Sequence, residues 1–298
     1  MTITGLHLLQ TYQCNFECDH CFVYSRPNAN GVMRIGDIRQ ILDQAEDVGD
    51  ITAICFEGGE PFLYYQTLLW GLREAKKKGF RRLLVTNAYW ATSIEDAEEW
   101  LLPIAEIGIH DLAVSDDAYH YRKDEENYAK HAYKAAKTLG LPVGSIRIED
   151  PSEYLNEVKW GGKPVVGGKV QFKGRAVEKL AEGLPTKPWT EFDKCLDEDF
   201  ENQGRIHIDP LGYVHVCQGI TIGNLKKTPL TDLFSNFTPH QHPICGPILR
   251  GGPAELARAF KVEPQAGYVD ECHLCYCTRL KLREKFPEIL APGQMYGE

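Results

Sequence analysis

The sequence predicts an α/β protein on a parallel sheet, either a barrel or an open doubly wound layer, followed by a smaller carboxy-terminal domain. Three observations lead there. Short apolar runs alternate with amphipathic segments through the first half of the chain. The amphipathic segments repeat their apolar residues at helical spacing, whereas the short runs are β-branched and apolar throughout. After about residue 176 this rhythm gives way to proline- and glycine-rich text with a dense set of cysteines, so residues 1–176 and 177–298 are read as two domains.

The elements follow in order. "GLHLLQTY" is the first strand, and "IGDIRQILDQAEDVG" a helix with Ile38, Ile41, Leu42 and Ala45 on one face. "ITAICFEGG", "RRLLVTNA", "IHDLAVSDD" and "PVGSIRIE" are strands two to five, and "KVQFKG" is the sixth. Between strands two and five lie the helices "YYQTLLWGLREAKKKG", "SIEDAEEWLLPIAEIG" and "NYAKHAYKAAKTLG". Gly49, Gly79, Gly108 and Gly140 stand where each helix needs a left-handed terminal residue. Beyond residue 176, "RIHIDPLGYVHVCQG" reads as a hairpin turning at Asp209 to Gly212, and "ECHLCYCTRLKLREKF" runs into a helix.

Composition narrows the function. The 298 residues have an ordinary 43% hydrophobic content, enough for a packed core. A net charge of -9 opposes attraction to phosphate backbones and acidic lipid surfaces, so neither nucleic acid nor membrane is an expected partner. No apolar run is long enough to span a bilayer, and the opening "MTITGLHLLQTYQC" lacks the basic and apolar regions of a secretory signal. The expected location is cytoplasmic. There disulfides are disfavoured, and ten clustered cysteines point to metal.

Cys14, Cys18 and Cys21 lie within eight residues, directly after the first strand, at the end where parallel α/β proteins place active sites. Buried cysteines acting as small hydrophobes seldom cluster in this way. A closed zinc site needs four ligands, and the nearby candidate for the fourth is His20. A redox pair needs no third cysteine. Three thiolates suit a [4Fe-4S] cluster with one iron left open for a small molecule.

The spacing C-x3-C-x2-C resembles the signature of the radical S-adenosylmethionine superfamily. The resemblance implies a partial (β/α)6 barrel of the TIM type, a four-iron cluster on Cys14, Cys18 and Cys21, and S-adenosylmethionine chelated to the open iron. His20 stands where the family usually has an aromatic residue beside the adenine. "FEGGEPF" at the end of strand two is similar to the family's GGEP motif, which makes Gly58, Gly59 and Glu60 candidate contacts of the cofactor's ammonium group. Strand three ends at "VTNAYW", with Asn87 a candidate cofactor contact and Ala88 in place of the family's usual glycine. "AVSDDAYH" resembles the Ser-x-Asp stretch, placing Ser115 near the ribose or methionine carboxylate and Asp117 toward the substrate. Arg147 or Glu149 of strand five would point into the pocket according to the pleat, giving three catalytic candidates with Asp117. "FKGRA", residues 172–176, resembles the run that leaves the family's sixth strand.

The later cysteines are Cys195, Cys217, Cys245, Cys272, Cys275 and Cys277. "GYVHVC" and "CHLCYC" resemble the twitch and SPASM extensions of the superfamily, which hold auxiliary iron-sulfur clusters. The full SPASM cysteine run is missing, so the shorter twitch form with one auxiliary cluster, expected to be [4Fe-4S], fits better. Its expected ligands are Cys195, Cys217, Cys272 and Cys275, with Cys277 as rival for one place; a zinc ribbon is the alternative. Cys55 and Cys245 read as structural.

The resemblance implies an oxidoreductase. It would reductively cleave S-adenosylmethionine to a 5'-deoxyadenosyl radical and take hydrogen from a small molecule or short peptide. The auxiliary cluster would accept the remaining electron, for a net two-electron oxidation or oxidative bond formation. An external reductant such as flavodoxin or ferredoxin would supply electrons. Only thirteen residues precede Cys14, too few for a peptide-recognition module, so a peptide maturase would need a separate carrier. A noncatalytic iron-sulfur or zinc protein is the reading from a different class, but it leaves "FEGGEPF" without a task.

Overall fold

The computed structural model describes residues 3–122, 124, 126–151, 167–168 and 170–298. They form two compact units, a parallel unit of Thr4–Cys18 with Ser25–Val170 and a carboxy-terminal unit of Asp19–Tyr24 with Gln171–Glu298 and Ile3.

The parallel unit runs β1 (Gly5–Thr11), α1 (Ile35–Val48), β2 (Ala53–Gly58), α2 (Tyr65–Lys77), β3 (Arg81–Thr86), α3 (Ile94–Ile107), β4 (Asp111–Ser115), α4 (Tyr128–Thr138), β5 (Val143–Ile148) and β6 (Gly167–Gly168). The strands pair in parallel in chain order from β1 to β6. A doubly wound sheet reverses its order at a switch point; this one does not, as in a barrel.

Helix α1 buries Ile38, Ile41, Leu42 and Ala45, the face that the spacing predicts. Gly49, Gly79, Gly108 and Gly140 all take positive φ at helix ends. A Cβ on Gly71 of α2 would lie 2.7 Å from the Phe56 ring, so Phe56 faces the helices. Alternation along β2 then turns Cys55 and Glu57 to the opposite, inner face. Register carries that face across the sheet, because Cys55 pairs with Leu83, Val85 with Ala113, and Ser115 with Ile146.

The sixth strand is displaced from its expected place. The residues paired with β5 are Gly167 and Gly168, whereas Val170 to Gly174 lie outside any strand, and Lys169 falls outside the described residues. Gly174 is drawn instead against Cys21 and Phe22, where a Cβ would meet the Phe22 Cα at 2.6 Å.

The carboxy-terminal unit contains α5 (Arg175–Lys179), β7 (Lys187–Pro188), β8 (Arg205–Ile208), β9 (Tyr213–Cys217), β10 (Ile220–Asn224), α6 (Leu230–Asn236), α7 (Cys245–Ala259), β11 (Gly267–Tyr268) and α8 (Glu271–Leu282). Strands β8, β9 and β10 form an antiparallel meander, and β7 pairs with β11. The β8–β9 turn is the expected one: Asp209 Oδ1 accepts from the backbone N–H of Leu211 and Tyr213, both at 2.9 Å, and Gly212 has φ 91. Between the expected hairpin and helix lie β10, α6, α7 and β11. Helix α7 is bent at Gly251 and Gly252 before Pro253. Gly252 lies so close to the chain that its Cβ would be 2.3 Å from the carbonyl carbon of Asp193, which fixes the segment leading to Cys195. No helix among the described residues is long and apolar enough to cross a membrane.

Candidate functional site

Strand β1 delivers the chain to Cys14, which is buried, while Cys18 and Cys21 are half-buried. Cys14 and Cys18 belong to the parallel unit, Cys21 and the half-buried His20 to the carboxy-terminal unit. The Cys14 sulfur accepts hydrogen bonds from the Phe16 backbone N–H and from Asn87 Nδ2, each at 3.4 Å. Such donors favour a thiolate over a thiol. Asn87, expected beside a cofactor, also donates to Asn15 Oδ1 at 2.9 Å.

The glycines of "GGEP" serve this loop directly. Gly59 N–H donates to the Thr11 carbonyl at 2.7 Å and Glu60 N–H to that of Gln13 at 2.9 Å. A Cβ on Gly59 would stand 2.1 Å from the Gln13 oxygen. The space that the glycines open is therefore filled, on this side, by the backbone that leads to Cys14. Glu60 is wholly buried; Oε1 accepts from Phe62 N–H at 3.0 Å and Thr86 Oγ1 at 2.9 Å, and Oε2 from Asn87 N–H at 2.7 Å. Burial raises its pKa to about 7 even though these bonds pull it down. Its side chain ties the ends of β2 and β3 together. Ala88 adopts φ 61, the left-handed backbone for which the resemblance expects glycine, and sits fully buried with its N–H on Thr86 Oγ1.

Ser115 is half-buried on the inner face of β4. Asp117 closes the turn after β4: Oδ1 accepts from Tyr119 N–H at 3.1 Å and pairs with His120 Nδ1 at 2.8 Å, and Oδ2 accepts from Ile148 N–H at 3.2 Å. The pleat of β5 corrects one expectation. Arg147 lies between Ile146 and Ile148, on the face away from Ser115, and its exposed side chain pairs with Asp116 at 2.6 Å. Glu149, beyond the strand, is exposed as well. The pleat thus turns Arg147 outward and does not place Glu149 in the pocket.

In the carboxy-terminal unit, one small cavity is lined by Cys195, Cys217, Cys272 and Cys275. They come from the loop after β7, the end of β9, and α8. Asp270 caps α8 by accepting from His273 N–H at 2.7 Å, which presents Cys272 and Cys275 one turn apart on one face. Cys277 is absent from that lining and packs with Phe192, Ala254, Tyr268 and Leu274. Cys55 and Cys245 are buried, and Cys245 starts α7.

Burial, reinforced by the Cys275 sulfur, pushes the Cys195 thiol up to about 12, although backbone N–H groups of Glu198 and Asp197 favour its thiolate. Cys217 and Cys272 are raised by burial too. Several thiolates this close are stable only with cationic partners, which is the condition a metal centre meets. Lys173 and Arg279 also line the cavity and are almost fully buried, at 3% and 1% exposure. Arg279 donates to the Gln218 carbonyl at 2.7 Å, yet its Nε has no hydrogen-bond partner. The donor set and this orphaned donor fit an anionic thiolate-bound cluster.

Sequence reasoning passed over these two cations. Arg279 lies in "ECHLCYCTRLKLREKF", read only as running into a helix, and Lys173 in the "FKGRA" run. That run also has a structural duty, since Arg175 N–H donates to the Cys21 carbonyl at 3.0 Å. Tyr24, three residues past Cys21, donates to Glu178 at 2.6 Å and accepts from the Tyr276 hydroxyl at 3.0 Å.

Sequential parallel strands with a cysteine loop after the first define a barrel-type α/β protein that carries its cysteine cluster at the strand ends, where such folds place their sites. Residues 8–148, a little under half of the chain, match the model of the Radical SAM superfamily. It is 30% identical over 108 residues, 36% of the chain, to "Putative peptide biosynthesis protein YydG" of Bacillus subtilis. It is 33% identical over 178 residues, 59% of the chain, to "Tungsten-containing aldehyde ferredoxin oxidoreductase cofactor-modifying protein" of Pyrococcus furiosus. The matched stretches span 34% and 46% of those relatives. The crystal structure of BtrN in complex with AdoMet and 2-DOIA shares the fold, with a TM-score of 0.54 over 79% of this chain and 83% of that one, at 16% identity.

Proposed function

We propose that the chain is a radical SAM enzyme, an oxidoreductase that takes hydrogen from a small-molecule or short-peptide substrate and completes a two-electron oxidation or oxidative bond formation with an auxiliary iron-sulfur cluster. In this reading residues 1–176 carry the S-adenosylmethionine chemistry and residues 177–298 the twitch-like auxiliary site. Cys14, Cys18 and Cys21 hold the first cluster, and Cys195, Cys217, Cys272 and Cys275 the second. When bound, the clusters and S-adenosylmethionine supply the electron, the hydrogen-abstracting 5'-deoxyadenosyl radical and a sink for the substrate's second electron.

The chain's own residues bind, orient and shield. Asn87 and the Phe16 N–H stabilise the Cys14 thiolate. Gly58 and Gly59 seat the strand-two end against the Cys14 loop, and Glu60 holds it to β3. Ser115 offers a hydroxyl on the inner face for the cofactor, and Asp117, two residues on and held by its turn, remains the catalytic candidate.

The observation that carries the reading is the convergence of four cysteines from three separate segments on one cavity. A peptide substrate on a separate carrier is a second reading, favoured by the relative named for peptide biosynthesis. The test is to reconstitute the protein with iron and sulfide without oxygen, then add dithionite and S-adenosylmethionine. 5'-Deoxyadenosine and methionine are expected; iron-loaded protein that yields neither overturns the reading in favour of a noncatalytic metal protein.

A further inference from the structure

The cavity lined by the four cysteines carries more charge than ligation alone requires. Lys173 and Arg279, both buried, line it together with Asp197 and Glu198. A guanidinium and an ammonium deprived of water are costly to hold unless negative charge compensates them. Arg279 is held in place from several sides. Its guanidinium lies 5.6 Å from the Tyr276 ring centre and 5.7 Å from that of Tyr296, while one terminal nitrogen donates to the Gln218 carbonyl, the residue after Cys217. This clamp leaves the buried Nε unpartnered, on a residue that lines the cavity. Lys173 is fixed by its chain position, because the next residue, Gly174, is wedged against Cys21 and Phe22, and its ammonium sits 5.9 Å from the Phe22 ring centre.

We infer that Arg279 and Lys173 are positioning residues for the auxiliary cluster: Arg279 Nε–H donates to a ligand or cluster sulfur, and the two cations hold the cluster's reduction potential up. This rests on the cluster reading above. Four thiolates around a [4Fe-4S] core leave net negative charge, and each added electron increases it. A buried cation and a hydrogen bond to sulfur stabilise the reduced form more than the oxidised one. An auxiliary site that must accept an electron from substrate is helped by that bias.

The experiment uses the full chain, reconstituted anaerobically, with iron counted and the auxiliary signal titrated by EPR against potential in the Cys14→Ala, Cys18→Ala, Cys21→Ala background, so that the remaining cluster is observed alone. Lys173→Met removes the charge at similar length. Arg279→Lys keeps the charge but removes the fork and its Nε. Each variant is expected to retain iron and to shift the reduction equilibrium at least tenfold toward the oxidised form, about 59 mV lower for a one-electron couple. Unshifted potentials in iron-loaded variants would overturn the inference. Should Arg279→Lys fail to fold by circular dichroism, Lys173→Met decides alone. A background protein that binds no iron at all would instead sink the underlying cluster reading, and the two failures are thus distinct.

Discussion

Glu60 is singled out by its motif, but its surroundings are set by residues far along the chain. The donors are Phe62 two residues on and Thr86 and Asn87 from the end of β3, and no local pattern places them around one carboxyl. Sequence reading therefore identifies the residue and misses its engagement, just as it flags Ala88 as a departure without indicating that alanine takes the left-handed backbone there. Burial lifts the Glu60 pKa from 4.5 to about 7, so its protonated form is favoured in the folded chain. The associated stabilisation is complete below the unfolded value of 4.5 and is lost as pH rises toward 7. The total is on the order of 3 kcal/mol. Asp270, raised to about 7 mainly by burial, acts in the same direction. Thermal unfolding between these pH values should show stability falling as pH rises, with a shallower dependence in Glu60→Gln; an unchanged slope would contradict this assignment.

Among the elements, legibility followed periodicity. Helix α1 and strands β1 to β5 come from regular patterns whose partners are sequence neighbours, and they lie where the spacing places them. Helix α7 was hidden because Gly251, Gly252 and Pro253 interrupt its pattern, while its bend is what brings it onto the Cys195 segment. On α8 the helical repeat distinguishes the rival ligands. Cys272 and Cys275 are three residues apart and share a face; Cys277, two further on, points about 160° away from Cys275 and packs in an apolar cluster. Its thiol is pushed up to about 11 by burial, as suits a neutral core residue. Cys275→Ala should lower iron content by about half of the eight irons expected for two four-iron clusters, and Cys277→Ala should leave it unchanged. Iron analysis of the two variants, reconstituted side by side, checks the assignment, and equal losses would exclude it.

At the scale of the whole molecule, the proposed centres differ in where their ligands originate. All four cysteines of the second cavity belong to the carboxy-terminal unit, whereas the opening motif divides, Cys14 and Cys18 in one unit and Cys21 in the other. The compact spacing of that motif in sequence gave no hint of the division, which arises because Gly174 and the Arg175 N–H engage the Cys21 stretch from the far side of the chain. Loss of the first set should therefore leave the second cavity intact, since none of its lining residues precedes Lys173. Replacing Cys14, Cys18 and Cys21 together by alanine should keep about four irons per chain and abolish formation of 5'-deoxyadenosine from S-adenosylmethionine. The converse replacement of Cys195, Cys217, Cys272 and Cys275 should also keep about four, now with cleavage of the cofactor retained and the oxidation of substrate lost. Iron counts and product analysis on the two sets separate the centres. A first set that empties both sites would mean that the thiols act as a single centre, and the division of labour between the units would fall.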